Sequence, residues 1–257
     1  MLIGLVSLKG GPGVTSTAVA LTALSGGVMI ELDPSGGSID CWHHATGEPT
    51  LVPTASALRR QAVPEAIVGF ATTVAPGVRV IRAPTSGPVA ESTIAGMADR
   101  LLPTLAPVDS TIVVDAGRWA RTQPTARRIR DCDVVGVVCS PTIEGVAAAR
   151  SHLDHVAHVA RRVHVIAVGD QPYCANEIAE VVQAPVSVVA WDRRGLAQLI
   201  ETGASKGWAR SALARSTRVV LDELTSAHTT ENSDDGAGTT DRALRHRHQR
   251  RDEATHA

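Results

Sequence analysis

The sequence predicts an α/β fold, a mostly parallel twisted sheet flanked by helices. Three observations carry this. Short runs rich in Val and Ile recur along the chain without polar alternation. Segments with helical patterning separate most of them. A glycine cluster stands where the first run gives way to the first helical pattern. Runs that are apolar on both faces mark strands of a parallel sheet, and strand–helix alternation implies right-handed crossovers.

The predicted strands are LIGLVSL (2–8), GVMIEL (27–32), VRVIRA (78–83), TIVVDA (111–116), VVGVVCS (134–140), VHVIAVG (163–169) and VSVVAW (186–191). Predicted helices span 15–25, 89–105, 143–161 and 174–183. The stretch 43–75 is less regular, with a short helix near 55–69, and 206–225 is a terminal helix. On that helix Ala209, Leu213, Val220 and Leu224 share an apolar face, with Arg215, Arg218 and Asp222 opposite. From residue 226 onward there is one Leu and no other large apolar side chain. Such a segment buries too little surface to offset its ordering entropy. The expected organisation is therefore a domain over 1–225 and a disordered tail over 226–257.

Composition narrows the function. Apolar residues make up 44% of the 257-residue chain but aromatics only 2%, so the core is expected to be Ala, Val, Leu and Ile. A net charge of −1 gives no bulk attraction to nucleic acid, whose binding is expected to be weak at most. No apolar run approaches the length of a membrane span, and no signal peptide is expected, which points to the cytoplasm. Cys41, Cys132, Cys139 and Cys174 lack paired spacing and are expected to be reduced, buried thiols. His152, His155 and His158 sit three apart on a helix. Each step turns about 60°, so together they span too wide an arc for one metal. Cys41, His43 and His44 have no second ligand pair at zinc spacing. The run RRIRD at 127–131 has the composition of a charged helix end, and the basic run in the tail that of a solvated segment.

The glycine cluster SLKGGPGVTST (7–17) has the context of a phosphate cradle: it leaves a strand and opens a helix. Backbone N–H groups of such a turn converge, and the helix dipole adds positive potential. The general P-loop pattern G-x-x-x-x-G-K-S/T is not met, because Leu8 replaces the first Gly and Val14 the Lys. A narrower pattern is met by Lys9, Gly10, Gly11, Pro12, Gly13, Val14, Thr15 and Ser16. It resembles the deviant Walker A loop of the ParA/MinD family of P-loop ATPases, in which a signature lysine opens the loop. Further segments agree over roughly residues 1–225. IELDPSGGSID is similar to the family's D-x-D-P-Q-G segment, with Glu31 for the first Asp and Ser35 for the Gln; STIVVDAG resembles its Walker B strand, ending at Asp115. VVGVVCSPTIEGVAAA resembles the strand and helix that follow, and VVAWDRRGLAQLIETG the late strand and loop before the C-terminal helix.

The resemblance implies a P-loop NTPase fold and roles for individual residues. Gly10, Gly11, Pro12, Gly13 and Val14 would wrap the β-phosphate of ATP or ADP, and Ser16 would touch the α-phosphate. Thr15 would hold Mg²⁺ and Asp115 would bind its shell through water. Asp33 would orient the attacking water. Lys9 would reach across a homodimer interface to the partner's phosphates.

Val14 cannot supply the charge that a lysine places against the β- and γ-phosphates, and such a contact in a dry site is worth orders of magnitude in rate. Two functions are expected from this pattern. One is an ATP-dependent dimerising switch with weak hydrolysis, which positions a protein or DNA cargo: in chromosome or plasmid partitioning, at a division site, or on pilus or secretion machinery through an adaptor. Pilus-localising members of the TadZ/CpaE type often carry degraded loops. The other is a nucleotide-independent scaffold that keeps the fold for protein–protein contacts. A metabolic enzyme of the same superfamily would need an extra catalytic domain or a cluster-binding Cys pair.

Overall fold

The structure, a computed structural model, describes residues 1–43, 47–119 and 126–235. The chain divides into two units, Met1–Leu221 and Asp222–Ala257. The sheet and the candidate site belong to the first.

Eight strands form one sheet in the order β3-β4-β2-β5-β1-β6-β7-β8. They are β1 (Leu2–Ser7), β2 (Val28–Glu31), β3 (Thr72–Ala75), β4 (Val78–Ile81), β5 (Ile112–Arg118), β6 (Val134–Cys139), β7 (Val163–Val168) and β8 (Val186–Val189). All seven strands expected from the sequence are present, and their pairings are parallel. The eighth, β3, pairs antiparallel with β4 across the Pro76-Gly77 turn. Its four residues TTVA are only partly buried, so it carries none of the apolar signal that marks the others.

The helices are α1 (Val14–Ser25), α2 (Ile39–His43), α3 (Leu51–Arg59), α4 (Pro64–Val68), α5 (Gly87–Ala95), α6 (Ala98–Leu105), α7 (Ile143–Ala157), α8 (Ala175–Val182), α9 (Arg193–Thr202) and α10 (Ala212–Asp235). Three expectations are corrected. The helix expected over 89–105 is two, α5 and α6, broken at Gly96, with Met97 buried at the junction. The segment 193–202, expected as loop, is helix α9. Its cap is Asp192, whose Oδ1 accepts from Gly195 N at 2.8 Å. The terminal helix starts at Ala212, and Ala209 is exposed in a 3-10 turn while its neighbour Trp208 is buried at 1%. Helix α10 continues to Asp235, past the expected boundary at 226; residues 236–257 of the expected tail lie outside the described residues.

The core is Val, Leu, Ile and Ala, as composition requires, and β1, β2 and β6 are buried along their whole length. Cys132 and Cys139 are buried thiols, but Cys41, within the short helix α2, and Cys174, at the start of α8, are exposed.

Strand β1 lies between β5 and β6. The chain leaves β1 for β2 on one side and later crosses from β5 over β1 to β6, β7 and β8 on the other, so the connections diverge there and leave a crevice beyond its C-terminal end. The ends of β2 and β5 open onto the same edge, which positions the candidate site.

Candidate functional site

The loop after β1 turns sharply because Gly11 and Gly13 have φ of 84° and 91°, a region that costs a side chain about 1–2 kcal/mol. Gly13 is the cap of α1, and its carbonyl accepts from both the backbone N and the hydroxyl of Thr17, each at 2.9 Å. A Cβ built on Gly10 or Gly11 meets nothing within 4 Å. The loop at these two positions therefore borders open space, a few residues before the N-terminus of α1. Pro12 is buried, while Lys9 and Gly10 are exposed and line a cleft with Ser140, Thr142 and Glu144. Val14 is the first residue of α1 and is 7% exposed.

The fold brings Thr15 and Asp115 together. The Thr15 hydroxyl donates to Asp115 Oδ2 at 2.6 Å, a contact between positions 100 residues apart. Asp115 Oδ1 accepts from Gly117 N at 3.0 Å. Burial pushes the Asp115 carboxyl up to about 6, against the lowering effect of these hydrogen bonds; Asp33 nearby adds to the rise. A hydroxyl and a carboxylate side by side at the opening of a helix are hard oxygen donors suited to Mg²⁺. Asp33 is half-buried, and its Oδ1 accepts from Ser35 N at 2.8 Å. Its carboxylate lies against Gly117: a Cβ there would stand 2.2 Å from Asp33 Cγ. The positive φ of Gly117, 65°, turns β5 out of its path. Ser16 lies on the other side of the loop, facing β8.

Three features lie beyond the predicted set. The first is Glu31, which is not a loose stand-in for an aspartate. It is 2% exposed; Oε1 accepts from Ser38 N at 2.8 Å and Ile39 N at 3.1 Å, and Oε2 accepts from Ala83 N at 3.0 Å. The longer side chain clamps the segment after Asp33 to the end of β4. Burial raises it to about 7. The second is Arg128, expected in a charged helix end but 1% exposed and bonded to the ends of β2 and β5. Only its place in an arginine-rich run was visible in the sequence. The third is an apolar recess beside Gly11 and Gly13, formed by Val168, Val189 and Leu196 and edged by Trp191, which is 66% exposed. Asp192 shapes its rim by joining the starts of α9 and α10: Oδ2 accepts from Leu213 N at 3.2 Å. Among the described residues no cluster of His, Cys, Asp and Glu could hold a metal by itself.

These shifts fix a pH dependence. Glu31 and Asp115 bind a proton more tightly folded than unfolded, so their contribution to stability declines as pH rises from about 4 to about 7. The lowered carboxyls of Glu144, Glu177 and Asp192 act only at more acid pH, whereas His43, lowered from 6.5 by burial, opposes the trend. Comparison with Asp115→Asn isolates the carboxylate. Thermal melts of the ligand-free protein from pH ~5 to ~7.5 are expected to fall more steeply for the parent than for the variant. Equal slopes would mean that Asp115 is ionised throughout.

A parallel sheet whose central strand feeds a glycine loop and a helix, with an aspartate at the neighbouring strand end bonded to that helix, defines a P-loop NTPase fold. No family model matches the sequence, and no curated protein matches it significantly. Solved structures do. A ParA family ATPase from Chlorobium tepidum TLS superposes with a TM-score of 0.69 at 18% identity, over 87% of this chain and 97% of that one. The septum site-determining protein MinD from Pyrococcus horikoshii OT3, complexed with Mg-ADP, gives 0.66 at 14% identity over 87% and 95%. Apo McdA from Cyanthece gives 0.63 at 18% identity over 87% and 98%. The fold is that of the ParA/MinD-type P-loop NTPases.

Proposed function

We propose that the chain is a ParA/MinD-type nucleotide-binding switch that positions a cargo. The observation that carries this is the 2.6 Å bond from Thr15 to Asp115 beneath a loop opened by Gly11 and Gly13. The donor set fits Mg²⁺ and the open loop fits a di- or triphosphate. ATP with Mg²⁺ supplies the transferable phosphoryl group and the positive charge that two carboxylates at one site attract. Thr15 would hold the metal through its hydroxyl, and Asp115 would hold the metal's shell through water. Asp33, fixed by Ser35 and Gly117, receives the proton side of an attacking water. The recess edged by Trp191 takes the base, with the indole available for stacking. Lys9, exposed at the loop entrance, would meet the phosphates of a second copy, and binding of ATP then favours the homodimer by mass action. The cargo is a protein, through an adaptor, of the pilus, secretion or division-site kind. DNA is a weaker candidate at a net charge of −1. Among the described residues no helix is long and apolar enough to cross a membrane.

The buried Val14 favours a second reading, a scaffold that keeps the fold without turnover. Calorimetry with ATP, with and without Mg²⁺, separates the two. The parent is expected to bind more tightly with the metal, and Thr15→Ala to lose about tenfold of that increment, about 1.4 kcal/mol, while metal-free binding changes little. A parent that binds neither ATP nor ADP at millimolar ligand would establish the scaffold.

A further inference from the structure

Arg128 has no part in the proposed function, yet it is among the most deeply buried charges in the described chain, at 1% exposure. Its Nη1 donates to Leu32 O at 2.6 Å and to Ala116 O at 2.8 Å. Those carbonyls immediately precede Asp33 and Gly117. The strand ladder shows why a donor is needed there. Leu32 N donates to Asp115 O at 2.7 Å, so the next rung of a parallel pair would bring Gly117 N to Leu32 O. Gly117 N is instead turned onto Asp115 Oδ1. The guanidinium fills the vacated rung. It also sits within the electrostatic reach of both Asp33 and Asp115, which together favour its charged form against burial.

Two carboxylates aimed at one site repel each other. A loop with lysine at position 14 would meet them from the front, but Val14 brings no charge, and Lys9 is exposed in the cleft with Glu144. We propose that Arg128 is the positioning residue of this site: it ties together the strand ends that carry Asp33 and Asp115 and balances their charge from behind. The inference rests on the nucleotide reading for its purpose, but its charge-balancing part is testable without any ligand.

Arg128→Met keeps much of the side chain's length without the charge, Arg128→Lys keeps a charge without the two-carbonyl fork, and Asp33→Asn removes one of the balanced carboxylates while keeping an oxygen for Ser35 N. In melts of the ligand-free full chain, Arg128→Met is expected to lower the midpoint by about 5–10 °C. Part of that loss should disappear when Asp33→Asn is already present, because one charge fewer needs balancing. In calorimetry, Arg128→Met should lose about tenfold of the Mg²⁺-dependent increment in ATP affinity, with Arg128→Lys recovering part of it. Strictly additive melting losses for Arg128→Met and Asp33→Asn would overturn the proposal and leave Arg128 as a backbone anchor. So would an unchanged Mg²⁺ increment in a folded Arg128→Met protein whose parent binds ATP. If the parent binds no nucleotide but the melting losses are non-additive, the nucleotide reading falls and the charge-balancing clamp stands.

Discussion

Gly117→Ala is expected to unfold the site more severely than any substitution in the loop itself. Gly117 sits at φ 65°, where a Cβ costs roughly 1–2 kcal/mol. The new methyl would also stand 2.2 Å from Asp33 Cγ and 2.3 Å from its Oδ2. Both sides are tethered: Asp33 Oδ1 accepts from Ser35 N, and Gly117 N donates to Asp115 Oδ1. Something must move, and the Asp33 side chain is the part displaced. Together the strain and the displaced carboxylate give about 3 kcal/mol, or a fall in melting midpoint of about 10 °C. Adding Asp33→Ala removes the collisions with Cγ and Oδ2 but leaves the Cβ of residue 33 at 2.7 Å and the backbone strain. The double variant is therefore expected to recover about half the lost stability, with no recovery of Mg²⁺-dependent ATP binding. Stability unchanged by Gly117→Ala would mean that Asp33 does not lie on β5 in solution.

Val14→Lys is expected to act in opposite directions on the free and the bound protein. Position 14 opens α1 at 7% exposure. An ammonium there sits at the positive end of a helix dipole with little water, so the free protein should lose about 1–2 kcal/mol of stability. With triphosphate present the same charge faces the β- and γ-phosphates in a dry site. Affinity for ATP with Mg²⁺ should then rise by about tenfold to a hundredfold. The ligand-induced rise in melting midpoint should grow accordingly. If Lys9 of a second copy supplies the charge in the parent, apparent affinity should climb with protein concentration; in Val14→Lys that dependence should weaken. Phosphate release and light scattering read both effects. If Val14→Lys leaves binding and turnover unchanged, the loop does not hold phosphate.

Much of this molecule is legible in its sequence, and the legible part has a common character. The buried strands, the first helix and the glycine loop are set by neighbours within a few residues. Apolar runs without alternation give LIGLVSL and VVGVVCS their place inside a parallel sheet, and only a glycine tolerates the turn at 11 and 13. The register of Lys9, Thr15, Asp33 and Asp115 against those elements was enough to name the candidate site.

What the tertiary structure decided depends on contacts between distant segments, which no local pattern encodes. The half-buried TTVA strand, β3, exists because β4 offers it an edge. Thr15 finds Asp115 across 100 positions because β1 and β5 are neighbours in the sheet, not in the chain. Glu31 became a clamp on Ser38, Ile39 and Ala83 rather than a substitute aspartate, since its extra methylene reaches across to the end of β4. Arg128 is the clearest case. Charge and neighbours assign the arginines of RRIRD to solvent, where burying a guanidinium without partners would be prohibitive. Only the folded chain shows the Leu32 carbonyl without its ladder donor beside two aspartates, and one of those arginines turns inside to meet it and Ala116 O.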